Sequence, residues 1–422
     1  MILKFKVLYF LILCILLAGC TKAREGTESD VSEAPDYSDA SSQPTAGEGE
    51  YIRGIWVSQF DMSPVYCENG RQRNKESYTA LVRTMLSNIK KDKFNTVFLQ
   101  LRPNGDSMYT SLIYPVSKYV SGAYGRGISY DAVGIFIKEA HALGIAVHGW
   151  INPLRLMTPA EIEAISDSFP IKQWYKEKSG KVVQVGDRLY LNPAYEEARN
   201  LIIDGVKEIM TRYEIDGIHM DDYFYPTTET FFDETEFKAS GMKDLGEFRR
   251  NNINLLVKGL YEAVKSKNQN ALYGIAPAGN IYSLKDTYYA DVYRWCSEGG
   301  YIDYIMPQLY FGFLNKYCPF DKILQEWVNA VTNPEVRLIV GLTAAKAVQA
   351  SSGAIDTFAG TEEGKYEWIN HKDILYRSMA LVKNEKKCSG YCFFSYQYFY
   401  NVLTGDPNPG FAQERQNLEG IL

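Results

Sequence analysis

From Tyr51 onward, short apolar runs alternate with longer stretches whose apolar positions recur every three or four residues. The short runs read as strands at 52–58 (IRGIWVS), 96–102 (TVFLQLR), 145–151 (IAVHGWI), 217–223 (GIHMDDY), 272–277 (LYGIAP), 303–309 (DYIMPQL), 336–343 (VRLIVGLT) and 390–396 (GYCFFSY). The longer stretches predict helices over 78–91, 131–143, 194–213, 246–266, 321–331 and 371–386. In one of them Ala198, Leu201, Ile202, Val206, Ile209 and Met210 share a helical face. Strand alternating with helix predicts a parallel α/β fold. Eight strands in a chain of 422 residues fit a closed (β/α)8 TIM barrel with long βα-loop insertions better than the alternative, a doubly wound open sheet. The insertions are 103–130, 153–193 and 224–245. Each follows a strand, which places it on the face where such barrels do chemistry.

The first residues follow another pattern. Lys4 and Lys6 precede an apolar run from Val7 to Ala18, too short to cross a bilayer comfortably and suited to a signal-peptide core. Leu17-Ala18-Gly19-Cys20 resembles the lipobox of bacterial lipoproteins. That resemblance implies cleavage before Cys20 and a diacylglycerol on its thiol, hence an exported protein held at a membrane; the rival is an ordinary signal peptide with an incidental cysteine. Residues 21–50 are rich in Ser, Glu, Asp, Ala, Thr and Gly and have too few bulky apolar groups to offset their ordering entropy. The predicted organisation is a signal peptide over 1–19, a lipidated Cys20 with a flexible acidic tether to residue 50, and a barrel over 51–422.

Charge then changes the picture. The net −6 of the whole chain argues against a nucleic-acid partner, which needs a basic face. The tether carries Lys22 and Arg24 against eight acids, so its own balance is −6, and the signal carries +2, leaving the barrel near −2. Beyond Cys20 the cysteines are Cys67, Cys296, Cys318, Cys388 and Cys392, an odd number with no zinc-ligand spacing, and they read as isolated buried thiols.

Polar residues at the ends of buried strands are the informative exceptions. Strand two closes on Arg102-Pro103-Asn104-Gly105-Asp106, strand three on His148-Gly149-Trp150-Ile151-Asn152-Pro153-Leu154-Arg155, and strand four on His219-Met220-Asp221-Asp222-Tyr223-Phe224-Tyr225. Asn192, Asn280, Gln308 and Tyr310 fall at comparable places. Carboxylates, amides, arginines and flat aromatics together suit a sugar pocket, with rings for the pyranose face and fixed polar groups for hydroxyls. The 32 tyrosines, against 20 Phe and 6 Trp, fit a half-wet groove of that kind, with Tyr223, Tyr225, Tyr310, Tyr396 and Tyr398 near strand ends. Tyr288 and Tyr289 have no such placement.

His219 and Asp221, two residues apart, face one side of a strand, and Asp222 faces the other unless the strand has ended. Asp221 is the leading catalytic candidate, as nucleophile or general acid/base. Glycoside hydrolysis usually takes two carboxylates. The partner is open among Asp106, Asp222, Asp303, Glu229, Glu234 and Glu236. Arg102, His148, Asn152, Arg155, Asn192, His219, Asn280 and Gln308 are expected to meet sugar hydroxyls and acyl groups; Trp150, Tyr225 and Tyr310 are expected to stack. The bland readings are a hydrogen-bonding structural histidine for His148 and an ion pair bracing the mouth for Arg102 and Arg155. A metal set from His148, His219, Asp221 and Asp222 is disfavoured, because Trp56-Val57-Ser58 replaces the HxH pattern of metal-dependent barrel hydrolases. No Gly-rich phosphate loop follows strand one, which weakens a nucleotide reading, and neither metal nor cofactor is expected.

The strings RGIWVS, NTVFLQLRPNGDSMY, HGWINPLR, LNP, DGIHMDDYFYP, YGIAPAGN and IMPQLYFG resemble the bacterial glycosyl-hydrolase-like family 10, over roughly residues 51–400. The resemblance implies a (β/α)8 barrel, an exported or lipid-anchored enzyme, and glycosidase activity on cell-envelope glycans such as peptidoglycan strands. Strand four is also similar in layout to α-amylase-like barrels, in which a basic residue precedes the nucleophilic Asp by two. Those barrels carry a Glu at the end of strand five, where Ala276-Pro277-Ala278 stands here, so the acid role stays open. A substrate with an N-acetyl group can itself supply a nucleophile. Two rival functions stand beside this one: a non-catalytic glycan-binding lipoprotein on the same barrel, and a metal-dependent hydrolase.

Overall fold

A computed structural model describes residues 50–422. The predicted signal peptide, Cys20 and all but the last residue of the tether lie outside the described residues. Eight parallel strands close a barrel: β1 (Ile52–Val57), β2 (Thr96–Arg102), β3 (Ala146–Ile151), β4 (Gly217–Met220), β5 (Leu272–Ile275), β6 (Tyr304–Ile305), β7 (Arg337–Thr343) and β8 (Cys388–Phe394). Each pairs with its neighbour in chain order, and β8 returns to β1 through Ile52↔Gly390 and Ile55↔Phe393. Closure leaves no open sheet edge and excludes the doubly wound alternative.

The six predicted helices are present, with ends set by local chemistry. Asn74, Asp131 and Asp244 cap Lys75–Lys91, Ala132–Ala142 and Leu245–Lys267 by accepting from backbone N–H groups of the first turn. Helices Glu196–Arg212, Phe320–Ala330 and Ile374–Asn384 complete the set. They bury apolar stripes against the outside of the strands, forming the larger core. Trp327 of helix Phe320–Ala330 and Trp295 of the short helix Val292–Trp295 are both fully buried in this layer.

Strand β4 ends sooner than predicted. After Met220 the chain turns, with the Asp222 N–H donating to Asp221 Oδ1 (2.8 Å) and the Phe224 N–H to the Asp222 carbonyl (2.9 Å). The insertion 153–193 folds into short helices and a hairpin, Val182–Val185 with Arg188–Leu191. The insertion 224–245 is clamped by a buried ion pair. Arg249 donates to Asp233 (2.6–3.0 Å), to the Thr227 and Glu229 carbonyls and to the Tyr289 hydroxyl.

The barrel lumen is a second, separate core of Ile52, Trp56, Phe98, Trp150, Ala276, Tyr304, Met306, Ile339 and Cys392. Large rings fit because small residues face them. A Cβ on Gly217 would lie 2.7 Å from the His148 ring, and one on Gly274 would lie 2.2 Å from the Tyr304 ring. At the N-terminal mouth a cleft of about 790 Å³ opens between Ile52, Thr96, His148 and Arg337. It lies at the opposite end of the strands from the βα loops, so it is not the place to look for chemistry in this fold.

Candidate active site

Asp221 follows the last residue of β4, anchored by its N–H donating to the Ile151 carbonyl (3.0 Å). Its side chain is 7% exposed and accepts from three N–H groups. The Trp150 indole N–H donates to Oδ2 (3.0 Å), the Gln308 amide to Oδ1 (3.3 Å), and the Asp222 N–H to Oδ1 (2.8 Å). Gln308 is oriented by a second bond, to the Ala276 carbonyl (3.0 Å).

Because the strand has ended, Asp222 is free to swing toward Asp221, and the two carboxyl groups share a side-chain hydrogen bond. Burial raises both above the ordinary carboxylate range. For Asp221 that rise is offset by hydrogen bonds from Asp222 and Trp150 and by the charge of Arg155. For Asp222 it is reinforced by the charge and hydrogen bond of Asp221, which push it well above that range. Both carboxyls are thus pushed toward their protonated forms, Asp222 the further of the two, and their titrations are linked. Around the pair stand half-buried aromatics. Tyr223 carries the Arg155 guanidinium over its ring at 4.7 Å, and Tyr310 tilts against Phe394 with ring centres 6.2 Å apart. Burial and the Asp222 charge push the Tyr288 hydroxyl up to about 12.

The structure brings Asp221, Asp222, Trp150, Arg155, Gln308 and Tyr310 together. Trp150 differs from expectation in role: it is 6% exposed, so it directs its N–H at Asp221 from the lumen core and offers no stacking face. Asn152 is 4% exposed and acts one step back, accepting from Gln100 (3.2 Å) and donating to the Pro103 carbonyl (3.0 Å). Half-buried Asn280 caps helix Ile281–Thr287 by accepting from the Tyr282 N–H (3.2 Å).

Other expected site residues are placed elsewhere. His148 and His219 are buried in the lumen. The Trp56 indole only donates, so His219 Nε2 accepts (3.0 Å), its Nδ1–H meets the Tyr304 hydroxyl (3.0 Å), and that hydroxyl donates to His148 Nδ1 (3.1 Å). Burial drives His148 down to about 4 and His219 well below the usual imidazole value, so both are neutral plugs of the barrel. Arg102 sits at a register shift after Gln100. That shift turns it outward over Tyr114 (4.6 Å) and toward helix Glu196–Arg212, with the Ile202 carbonyl 3.5 Å away. Asp106 is fully buried, accepting from the Asn104 N–H (2.8 Å) and the Tyr124 hydroxyl (2.9 Å), so it braces its loop. Asn192 is fully buried and ties the insertions together through the Gly180 and Phe232 carbonyls and Glu236. Tyr225 is 1% exposed, edge-on to Tyr289 and beneath Arg249, and offers no stacking face.

Among the proposed acid partners, Asp303 binds Lys265 (2.8 Å) and the Tyr273 N–H (2.7 Å) at the N-terminal end of β6, the wrong end of the barrel. Glu234 pairs with Lys238 on the surface, Glu229 is exposed, and Glu236 accepts from the Tyr195 hydroxyl (2.5 Å). Tyr288 feels the Asp222 charge, which the sequence did not signal. It lies 66 positions after Asp222, with no local pattern to link the two. Among the described residues no group of three His, Cys, Asp or Glu side chains is placed to hold a metal ion.

A parallel eight-stranded barrel with paired acids and aromatics at the C-terminal ends of its strands has the architecture of glycoside hydrolases. The chain belongs to the glycosyl hydrolase-like 10 family, whose model matches residues 51–357. Glycosyl hydrolase YngK of Bacillus subtilis (strain 168) is 31% identical over 322 residues, 70% of this chain and 61% of that protein, so the chain spans under two thirds of that relative's length. Glycosyl hydrolase DigH of Escherichia coli (strain K12) is 30% identical over 362 residues, 78% of this chain and 80% of DigH. The fold is similar to the PgaB (BpsB) glycoside hydrolase domain from Bordetella bronchiseptica, with TM-score 0.54 and 13% identity over 83% of this chain and 96% of that one. It is also similar to the catalytic domain of a Paenibacillus polymyxa β-amylase, with TM-score 0.51 and 8% identity over 88% and 98%. Family membership supports a hydrolase that acts on glycans.

Proposed function

We propose that this protein is an exported, lipid-anchored glycosidase that cleaves a cell-envelope glycan of the peptidoglycan-strand type. The observation that carries the reading is the hydrogen-bonded Asp221–Asp222 pair just past the end of β4, in which Asp222 is pushed further toward its protonated form than Asp221. Carboxyls that share a hydrogen bond are closer than the roughly 5–5.5 Å that a nucleophile and acid need to flank a sugar ring. The pair therefore fits catalysis in which the substrate's own N-acetyl oxygen is the nucleophile. Asp222 gives its proton to the glycosidic oxygen as the C1–O bond breaks, and the acetamido oxygen bonds to C1. Asp221, ionised and held by Trp150 and Gln308, stabilises the positive charge on the resulting ring. Water then attacks C1, the acetamido group re-forms, and the water's proton returns to Asp222. Tyr223, Tyr288 and Tyr310 supply faces for the sugar.

The anchor rests on Leu17-Ala18-Gly19-Cys20 and the polar spacer behind it. Incubation with purified peptidoglycan, intact and stripped of peptides, followed by mass spectrometry of the products, tests activity and substrate together. Cleaved glycan is expected; strands left whole but bound would instead make the protein a glycan-binding lipoprotein. Cys20→Ala should abolish lipid labelling and membrane association, and a variant that stays on the membrane would overturn the anchor.

A further inference from the structure

We propose that Arg155 recognises a carboxylate on the sugar bound beside Asp221 and Asp222, so that the preferred substrate is an acidic glycan. This rests on the glycan-hydrolase reading above and names what that site selects. Arg155 follows β3, and its backbone is fixed by a bridge to Tyr190 of the inserted hairpin. Its guanidinium lies 4.7 Å over the Tyr223 ring, which fixes the plane of the fork, and its charge reaches both Asp221 and Asp222.

Two nearby arginines are committed, and a third, Arg102, is buried away from the mouth with Nε and Nη1 unpartnered. Arg188 donates to Asn104 (3.1 Å) and to the Leu156 carbonyl (3.0 Å), Arg249 is bound to Asp233, and Arg102 faces the helix layer. Arg155 forms no ion pair and donates no side-chain hydrogen bond among the described residues, although it is half-buried at the mouth. It is therefore not the brace that its position in the sequence allows. A planar guanidinium with its donors free matches a two-oxygen acceptor through two parallel bonds, whereas a sugar hydroxyl takes only one and no charge. The residue adds specificity beside the acid pair and performs none of the bond-breaking.

The test compares peptide-free glycan strands bearing their carboxylates with the same strands reduced to primary alcohols. The readout is the ratio of kcat/KM for the two forms, with thermal denaturation as a folding control. The wild-type ratio should favour the carboxylate form by about 10- to 100-fold, the range of a hydrogen bond to a charged group. Arg155→Gln should bring the ratio near one, chiefly through KM, and Arg155→Lys should restore part of it. Cleavage of both forms with no preference, or a preference that survives in Arg155→Gln, overturns the inference and leaves the glycosidase reading standing. If neither form is cleaved, that reading fails, and binding of labelled strands decides: a carboxylate preference lost in Arg155→Gln upholds the inference, and equal binding overturns it.

Discussion

Acidification should weaken the barrel from its centre, through His148. Burial holds this imidazole at about 4, whereas an unfolded chain restores it to about 6.5. The folded state thus binds fewer protons than the unfolded state across that window. The stability that depends on a neutral His148 is fully present above the unfolded value and is lost as pH falls toward the folded one. A difference of this size corresponds to roughly 3 kcal/mol in all, and to about 2 kcal/mol between about pH 7.5 and pH 5. His219 is displaced in the same direction and adds to the effect. Asp61, Asp106, Asp221 and Asp222 oppose it, because burial raises them and acidification then favours the folded state. The total slope is a sum of opposing terms, and a difference isolates the histidine. Urea unfolding of wild type and His148→Gln at about pH 7.5, 6 and 5 should give a stability gap that narrows by about 2 kcal/mol on acidification. A gap that stays constant over this range would refute the neutral plug.

Two further outcomes follow from contacts on either side of the barrel wall. Gly205→Ala places a Cβ 1.9 Å from Arg102 Nη1 and 2.6 Å from the Tyr114 ring, so it should lower stability by about 1–3 kcal/mol, read as a reduced Tm. An unchanged Tm would mean that Arg102 does not pack against that helix. Trp150→Phe removes one of the three N–H donors to Asp221 while keeping most of the ring. The acid limb of the pH–rate profile should move to higher pH and kcat/KM should fall by about tenfold or more, the cost of a hydrogen bond to a charged group; a profile that does not move would remove Trp150 from the site.

The barrel was legible because its strands are short apolar runs and its helices carry apolar stripes such as Ala198 to Met210, signals that burial itself creates. The acid pair was legible for the complementary reason: Asp221 and Asp222 close an apolar strand where polar groups are costly unless used. Three physical effects hid the rest. A register shift after Gln100 reversed Arg102 from the lumen to the helix layer. A closed barrel has polar side chains within its lumen as well as at its mouth, so His148 and His219 read like rim residues while serving as plugs joined through Tyr304. Long-range closure decided the others. Arg249, far along the chain, draws the loop after β4 inward and buries Tyr225, while Tyr288, in the segment after β5, comes within reach of the Asp222 charge.

The central claim is that Asp222 donates the proton and Asp221 remains the anion beside it. It is tested most directly by the turnover of wild type, Asp222→Asn and Asp221→Asn on an N-acetylated glycan, each variant first shown folded and able to bind. Both variants should lose about 100-fold or more of kcat, the scale of acid catalysis and of charge stabilisation in such sites. A leaving group that departs without protonation should rescue Asp222→Asn and not Asp221→Asn. Near-normal turnover by either variant, or equal rescue of both, would contradict the assignment.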